Sequence, residues 1–159
     1  MTDQGEQPQP QFEDFDLSDE MMAALEHAGY ETPTPVQAGI IPGALDGQDL
    51  IGQAQTGTGK TAAFAIPILE QLSPEEEISK PQALILAPTR ELAVQVRGEF
   101  EKLAYNQSIR TIAVYGGKPI RGQIEQLKHS VQVVVGTPGR VLDHIQRRTL
   151  CLLYTSDAA

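Results

Sequence analysis

Gly57, Gly59, Lys60 and Thr61 follow an apolar run and precede a helical pattern. Phosphate oxygens need several N–H donors converging on one point. A glycine-rich turn lets successive backbone N–H groups face inward, and a helix start adds a partial positive charge. Lys60 then serves as the mobile cation for β- and γ-phosphates, and Thr61 offers a hydroxyl to Mg²⁺. The strict pattern G-x-x-x-x-G-K-[ST] fails at its first position, which is Ala54. The strand–loop–helix context is otherwise right, and by itself it indicates a nucleoside triphosphate site.

Gln37 lies upstream of this loop. A side-chain amide can pair with adenine N6 and N7 at once, and the nearby Tyr30 could stack on a base. Read alone, the two are equally an exposed glutamine and a packed tyrosine.

Three further groups follow apolar runs: Pro88-Thr89-Arg90, Gly116-Gly117 and Thr137-Pro138-Gly139-Arg140. Thr89 and Thr137 each begin a helical pattern, so each offers free N–H groups and a hydroxyl to a phosphate. Thr89 is also simply a good N-cap. Gly116-Gly117 allows close approach of a sugar-phosphate backbone, or is only a strand-end turn. No base-reading aromatic is read among these groups, which points to sequence-independent backbone binding. Glu91 reads as a first-turn helix acid and Arg147-Arg148 as a solvated helix end. His27, His129 and His144 are assigned no chemistry.

The elements that must position these residues alternate. Helices are predicted after Ser18 (with Leu17, Met21, Leu25 and Ala28 on one face, and Gly29 as terminator) and from Thr34-Pro35 onward. Asp49–Ala54 reads as a strand, and a helix follows the glycine loop to about Leu72. Ala83–Ala87, Thr111–Tyr115 and Val131–Val135 read as strands. Helices follow them, bearing Leu92, Val96, Phe100 and Leu103; then Ile120, Ile124 and Leu127; then Val141, Leu142 and Ile145. Strands alternating with helices predict an α/β fold with a mostly parallel sheet flanked by helices. Such sheets bind ligands at the carboxyl ends of their strands.

The 159 residues are 40% hydrophobic and 21% charged, within the globular range. No apolar run reaches the ~20 residues that span a bilayer. The polar N-terminus lacks the pattern of a secretory signal, and the single cysteine, Cys151, supports no disulfide framework or metal cluster. A cytoplasmic protein is expected. The net charge of −9 is uneven. Residues 1–59 hold no Lys or Arg, whereas residues 84–150 carry ten bases against five acids. A polyanion can therefore meet the second half of the chain. Residues 1–11 are expected to be a disordered polar tail, and Glu75-Glu76-Glu77 a solvated loop. Residues 151–159 break the pattern. They read as the translation of a transposon-type sequencing-library adapter, the alternative being a short strand at Leu152–Tyr154.

Taken in order, Phe12, Gly29-Tyr30-Glu31-Thr32-Pro33-Thr34-Pro35-Val36-Gln37, Ala54 to Thr61, Pro88 to Leu92, Gly116-Gly117 and Thr137 to Arg140 resemble the first RecA-like domain of DEAD-box RNA helicases. The resemblance covers residues 12 to about 150 and accounts for Ala54, where the family's phosphate loop also begins with Ala. It implies a RecA-like P-loop NTPase fold, incomplete at the C-terminus, and RNA-stimulated ATP hydrolysis coupled to duplex unwinding or ribonucleoprotein remodelling. It implies ATP and Mg²⁺ as cofactors and RNA as partner. Phe12, Tyr30, Pro35 and Gln37 would hold adenine. Gln55, Thr56, Gly57, Thr58, Gly59, Lys60 and Thr61 would hold phosphates, with Thr61 toward the metal. Pro88, Thr89, Arg90, Gly116, Gly117, Thr137, Pro138, Gly139 and Arg140 would line the RNA groove.

The family's Asp-Glu-Ala-Asp run, which organises Mg²⁺ and the attacking water, has no counterpart here. The only acids after Arg140 are Asp143 and Asp157. The chain alone is expected to bind nucleotide without turnover. Alternatives are an ATP-dependent RNA-binding module and a P-loop helicase or translocase acting on DNA.

Overall fold

The structure, a computed structural model, describes residues 8–73 and 80–151. Residues 1–7 of the polar tail, the Glu75–Glu77 loop and the adapter-like sequence from Leu152 onward lie outside the described residues.

A short 3₁₀ turn, Phe12–Phe15, precedes α1 (Asp19–His27) and α2 (Pro35–Leu45). Then α3 (Lys60–Gln71), β1 (Ala83–Leu86), α4 (Arg90–Leu103), β2 (Thr111–Val114), α5 (Ile120–Leu127), β3 (Val133–Gly136) and α6 (Pro138–Gln146) alternate. Local chemistry sets the helix ends. Ser18 Oγ accepts the Met21 N–H at 3.1 Å, and Asp19 and Glu20 occupy the positive first turn of α1. The helix closes at Gly29, whose φ of +77° lets the Tyr30 N–H reach back to the Leu25 carbonyl. Ser18 is also tied to α3, because the Glu70 carboxylate accepts both its N–H (2.9 Å) and its hydroxyl (2.7 Å).

The sheet is wholly parallel, in the order β1-β3-β2. Central β3 is buried along its length, as a strand covered on both faces must be. Its side chains divide with period two. Val133 and Val135 join the larger core with Ala62, Ile66, Val96 and Phe100 of α3 and α4. Val134 joins the smaller one with Ile112, Val114 and Val141. Helices therefore cover both faces.

Two expectations need correction. Asp49–Ala54 forms no strand. A strand is completed by a hydrogen-bonded neighbour, and β1's outer edge has none among the described residues. The segment runs irregularly, with Ile51 99% exposed, and lines a groove of about 560 Å³ with Ile40, Phe64 and Ile68. Leu142 and Ile145 do not face the core; they are exposed on α6. In their place His144 is fully buried, because two polar partners receive its ring nitrogens. No helix among the described residues is long and apolar enough to cross a membrane.

Gly136 ends β3 where α6 folds back closely. A Cβ there would overlap Val141 Cγ2 and come within 2.7 Å of Val114 Cγ2 and 3.0 Å of the Val114 carbonyl. Gly136→Ala is therefore expected to destabilise the protein by about 1–3 kcal/mol. Gly98→Ala, in mid-helix with open space around it, should instead stabilise it by about 0.5–1 kcal/mol. Denaturant unfolding of both variants checks the opposite signs.

Candidate functional site: a phosphate loop and a row of strand ends

Two left-handed glycines shape the loop before α3: Gly57 at φ +80° and Gly59 at φ +79°. The Thr58 hydroxyl closes the turn on the Gln55 carbonyl at 2.6 Å. Helical bonding starts with the Ala63 N–H on the Gly59 carbonyl. The amides of Lys60, Thr61 and Ala62 thus have no intrahelical acceptor. They sit at the positive end of a twelve-residue helix. Beside them opens a cleft of about 550 Å³, lined by Thr56, Gly57, Gly59, Lys60 and Thr61 on one side. Ile85 and Leu86 of β1, Ala87 directly after it, and Leu92 and Glu99 of α4 line the other, with Tyr30 also at the wall. The volume suits a small-molecule ligand.

Gln37 is 1% exposed. Its Oε1 accepts the Thr34 N–H at 2.9 Å, while Thr34 Oγ1 accepts the Gln37 N–H at 3.4 Å, a reciprocal capping box. Its Nε2 donates to the Gly59 carbonyl at 3.3 Å. One carboxamide thereby fastens the start of α2 to the last residue of the phosphate loop. One amide hydrogen and one oxygen lone pair remain beyond these bonds. Pro35 is the N1 residue of the same turn.

The Tyr30 hydroxyl donates to Glu99, and Lys102 Nζ stands 4.8 Å from the ring centroid. Burial, followed by the Glu99 carboxylate, pushes the phenol above its ordinary pKa. Phe12 meets Tyr30 and Phe15 edge-on at 6.3 and 6.0 Å and is 2% exposed. It belongs to the core beside Tyr30 and does not line the cleft.

The register levels Leu86, Gly136 and Val114 across the sheet. Pro88-Thr89-Arg90, Thr137 to Arg140 and Gly116-Gly117 consequently leave the same edge in that spatial order. Thr89 Oγ1 accepts the Leu92 N–H at 3.2 Å, so this hydroxyl caps its helix. Thr137 makes no such bond, and its hydroxyl has no partner among the described residues. Arg90 reaches across to Tyr115 at the end of β2, its Cζ 5.5 Å from the ring centroid; Lys118 Nζ is 5.7 Å from the same centroid. An aromatic therefore does sit in this row, engaged by two cations.

Arg140 Nη1 donates to the Lys118 carbonyl at 3.0 Å and to Gln123 Oε1 at 3.3 Å. Sequence reasoning missed Tyr115, Gln123 and His144. A signal existed for Gln123, which interrupts the apolar stripe of Ile120, Ile124 and Leu127. Among the described residues no cluster of His, Cys, Asp and Glu could hold a metal ion.

A parallel α/β domain with a phosphate loop opening a helix defines a nucleotide-binding protein of the P-loop type. More particularly, the family model for the DEAD/DEAH box helicases matches residues 34–156, and the chain belongs to that family. It is 52% identical over 141 residues to the ATP-dependent RNA helicase CshA of Listeria monocytogenes, covering 89% of this chain and 27% of that protein. It is 50% identical over 141 residues to the DEAD-box ATP-dependent RNA helicase CshA of Bacillus subtilis, covering 89% of this chain and 28% of that one. The chain thus spans little more than a quarter of the length of these relatives. The crystal structure of a DEAD box protein from the hyperthermophile Methanococcus jannaschii superposes with a TM-score of 0.82 at 44% identity, covering 89% of this chain and 38% of the other. The fold is the RecA-like one.

The two loop glycines differ in their surroundings. A Cβ on Gly57 meets open space, whereas one on Gly59 overlaps Gln37 Nε2. Gly57→Ala should cost about 1–2 kcal/mol, the left-handed backbone penalty. Gly59→Ala should cost more, because it also forces Gln37 off the loop. Thermal unfolding of the pair measures the difference.

Proposed function

We propose that these residues supply ATP binding and part of the RNA grip of an ATP-dependent RNA helicase, acting in the cytoplasm. In such an enzyme, RNA-stimulated ATP hydrolysis drives local duplex unwinding or ribonucleoprotein remodelling. The observation that carries this reading is the meeting of two anion-receptive sites at one strand end. Ala87 of the β1 exit lines the nucleotide cleft, and Pro88-Thr89-Arg90 follow it directly onto the edge shared with Gly116-Gly117 and Thr137 to Arg140.

Each residue then has a task. Gly57, Thr58 and Gly59, with the first amides of α3, cradle phosphate oxygens, and Lys60 offsets their charge. Gln55 and Thr56 form the approach to the loop. Gln37 uses its remaining donor and acceptor on adenine, and Tyr30 packs against the base. Pro35 sets the turn that holds Gln37. Phe12 acts through Tyr30, against which it packs.

On the sheet edge, Thr89 and Thr137 present helix starts to RNA phosphates, Gly116, Gly117 and Gly139 allow close approach, and Arg90 and Arg140 supply charge. Pro88 and Pro138 fix the chain on either side. The contacts address the backbone, so binding without sequence preference follows.

Thr61 is the candidate Mg²⁺ ligand, with a hydroxyl that has no partner among the described residues. It brings a single oxygen, and Mg²⁺ is usually held by carboxylates together with substrate phosphates. The ion would therefore come with the nucleotide, where it supplies charge neutralisation. The sequence has no Asp-Glu pair after Arg140, so the 159 residues alone should bind ATP without turning it over.

The test uses the intact protein. Single-stranded RNA should accelerate ATP hydrolysis and DNA should not. Lys60→Ala should weaken ATP binding roughly ten- to a hundredfold, the range for a hydrogen bond to a charged group. Gln37→Ala should narrow the preference for ATP over GTP. Equal activation by DNA, or an unchanged ATP affinity in Lys60→Ala, would contradict the assignment.

A further inference from the structure

Gln123 and His144 are buried polar residues in the smaller half of the molecule, 7% and 0% exposed. Neither belongs to the row of strand ends, yet together they join two parts of it. Gln123 Nε2 donates to the Tyr115 carbonyl at 2.9 Å, immediately before Gly116-Gly117. Its Oε1 lies 3.3 Å from Arg140 Nη1 and 3.1 Å from His144 Nε2. Arginine can only donate, so the amide orientation is fixed twice, by a carbonyl at one end and a guanidinium at the other. His144 Nε2 must then be a donor. In a neutral ring Nδ1 accepts, and the Thr149 hydroxyl stands 2.8 Å from it while also reaching the His144 carbonyl at 3.1 Å. Burial and the nearby Arg140 charge both lower the pKa of His144, which favours that neutral form.

The consequence falls on Arg140. Its Nη1 is occupied by the Lys118 carbonyl and Gln123, whereas Nε and Nη2 have no partner among the described residues. Those two nitrogens form the side-on fork that matches a phosphate with two parallel bonds. A free arginine gives up rotamer entropy when it is fixed. Here part of that ordering is already complete before any ligand arrives.

We propose that the buried Gln123–His144 pair positions Arg140, holding its outward fork and the Gly116-Gly117 turn at a set separation to receive consecutive phosphates of an RNA strand. Both residues act through Arg140 and the turn and touch no ligand. The inference rests on the RNA-binding reading given above.

The experiment measures binding of a labelled single-stranded oligouridylate to the intact protein across a salt series, with ATP affinity and melting temperature recorded for every variant. Arg140→Ala is the reference and should lower the salt slope by about 0.7, the loss of one phosphate contact on a single strand. Gln123→Met, similar in volume but without the amide, should lose RNA affinity with a similar slope change. The double variant should lose little more than either single one.

His144→Gln can place a donor near the Nε2 position and should bind RNA almost as the unchanged protein does. His144→Asn reaches only toward the Nδ1 position and should resemble Gln123→Met. ATP affinity should stay level throughout, which also reports the folded fraction of any less stable variant. If Gln123→Met and His144→Asn bind RNA normally while Arg140→Ala does not, the positioning role is wrong and the RNA reading survives. Equal losses in His144→Gln and His144→Asn would likewise remove the role of the Nε2 donor. An Arg140→Ala variant with unchanged RNA affinity would overturn both.

Discussion

A helix cannot satisfy the N–H groups of its own first turn. This chain sets that deficit at α3, α4 and α6, around one end of a single parallel sheet. The α3 deficit is opened by left-handed Gly59 and stands over a cleft. The α4 and α6 starts follow β1 and β3 directly. Parallel pairing makes the arrangement unavoidable: once Leu86, Gly136 and Val114 are level, every succeeding helix starts at the same edge. Anions are the natural complement, and the ten bases against five acids of residues 84–150 suit them, despite the acidic whole.

Two links turn these separate starts into one device. The Gly59 carbonyl accepts both the Ala63 N–H of α3 and Gln37 Nε2 of α2, so the phosphate loop and the residue proposed to examine the base cannot move independently. On the other side, the first turn of α4 is shared. Leu92 lines the cleft beside α3, while Arg90 reaches toward Gly117 and Tyr115. A ligand that shifts β1's exit on one side must disturb it on the other. On the proposed function, this shared exit is where nucleotide and RNA would influence one another.

Much of this was legible in the sequence because it is local. Ser18, Thr34 and Thr89 each make the cap their position suggested. The apolar runs that became β1, β2 and β3 needed only their own residues and parallel neighbours. What could not be read depended on distant partners. Asp49–Ala54 has the composition of a buried strand, but a strand is a property of a pair. Gln37, read alone, resembles a solvated glutamine; its burial comes from a capping box that turns the amide inward. The burial of His144 and Gln123 has no signal in their residue types, because type does not reveal that two such groups will satisfy each other. Leu142 and Ile145 carried the opposite error, exposed where their type suggested a core face.

The most direct test of the account follows backbone amide resonances of the intact protein during titration with ATP and then with single-stranded RNA. ATP is expected to shift the amides of Gly57, Gly59, Lys60, Thr61 and Ala62, and RNA to shift the first-turn amides following Thr89 and Thr137 together with those of Gly116 and Gly117. ATP binding that leaves the start of α3 unmoved, with its shifts gathered elsewhere, would contradict it.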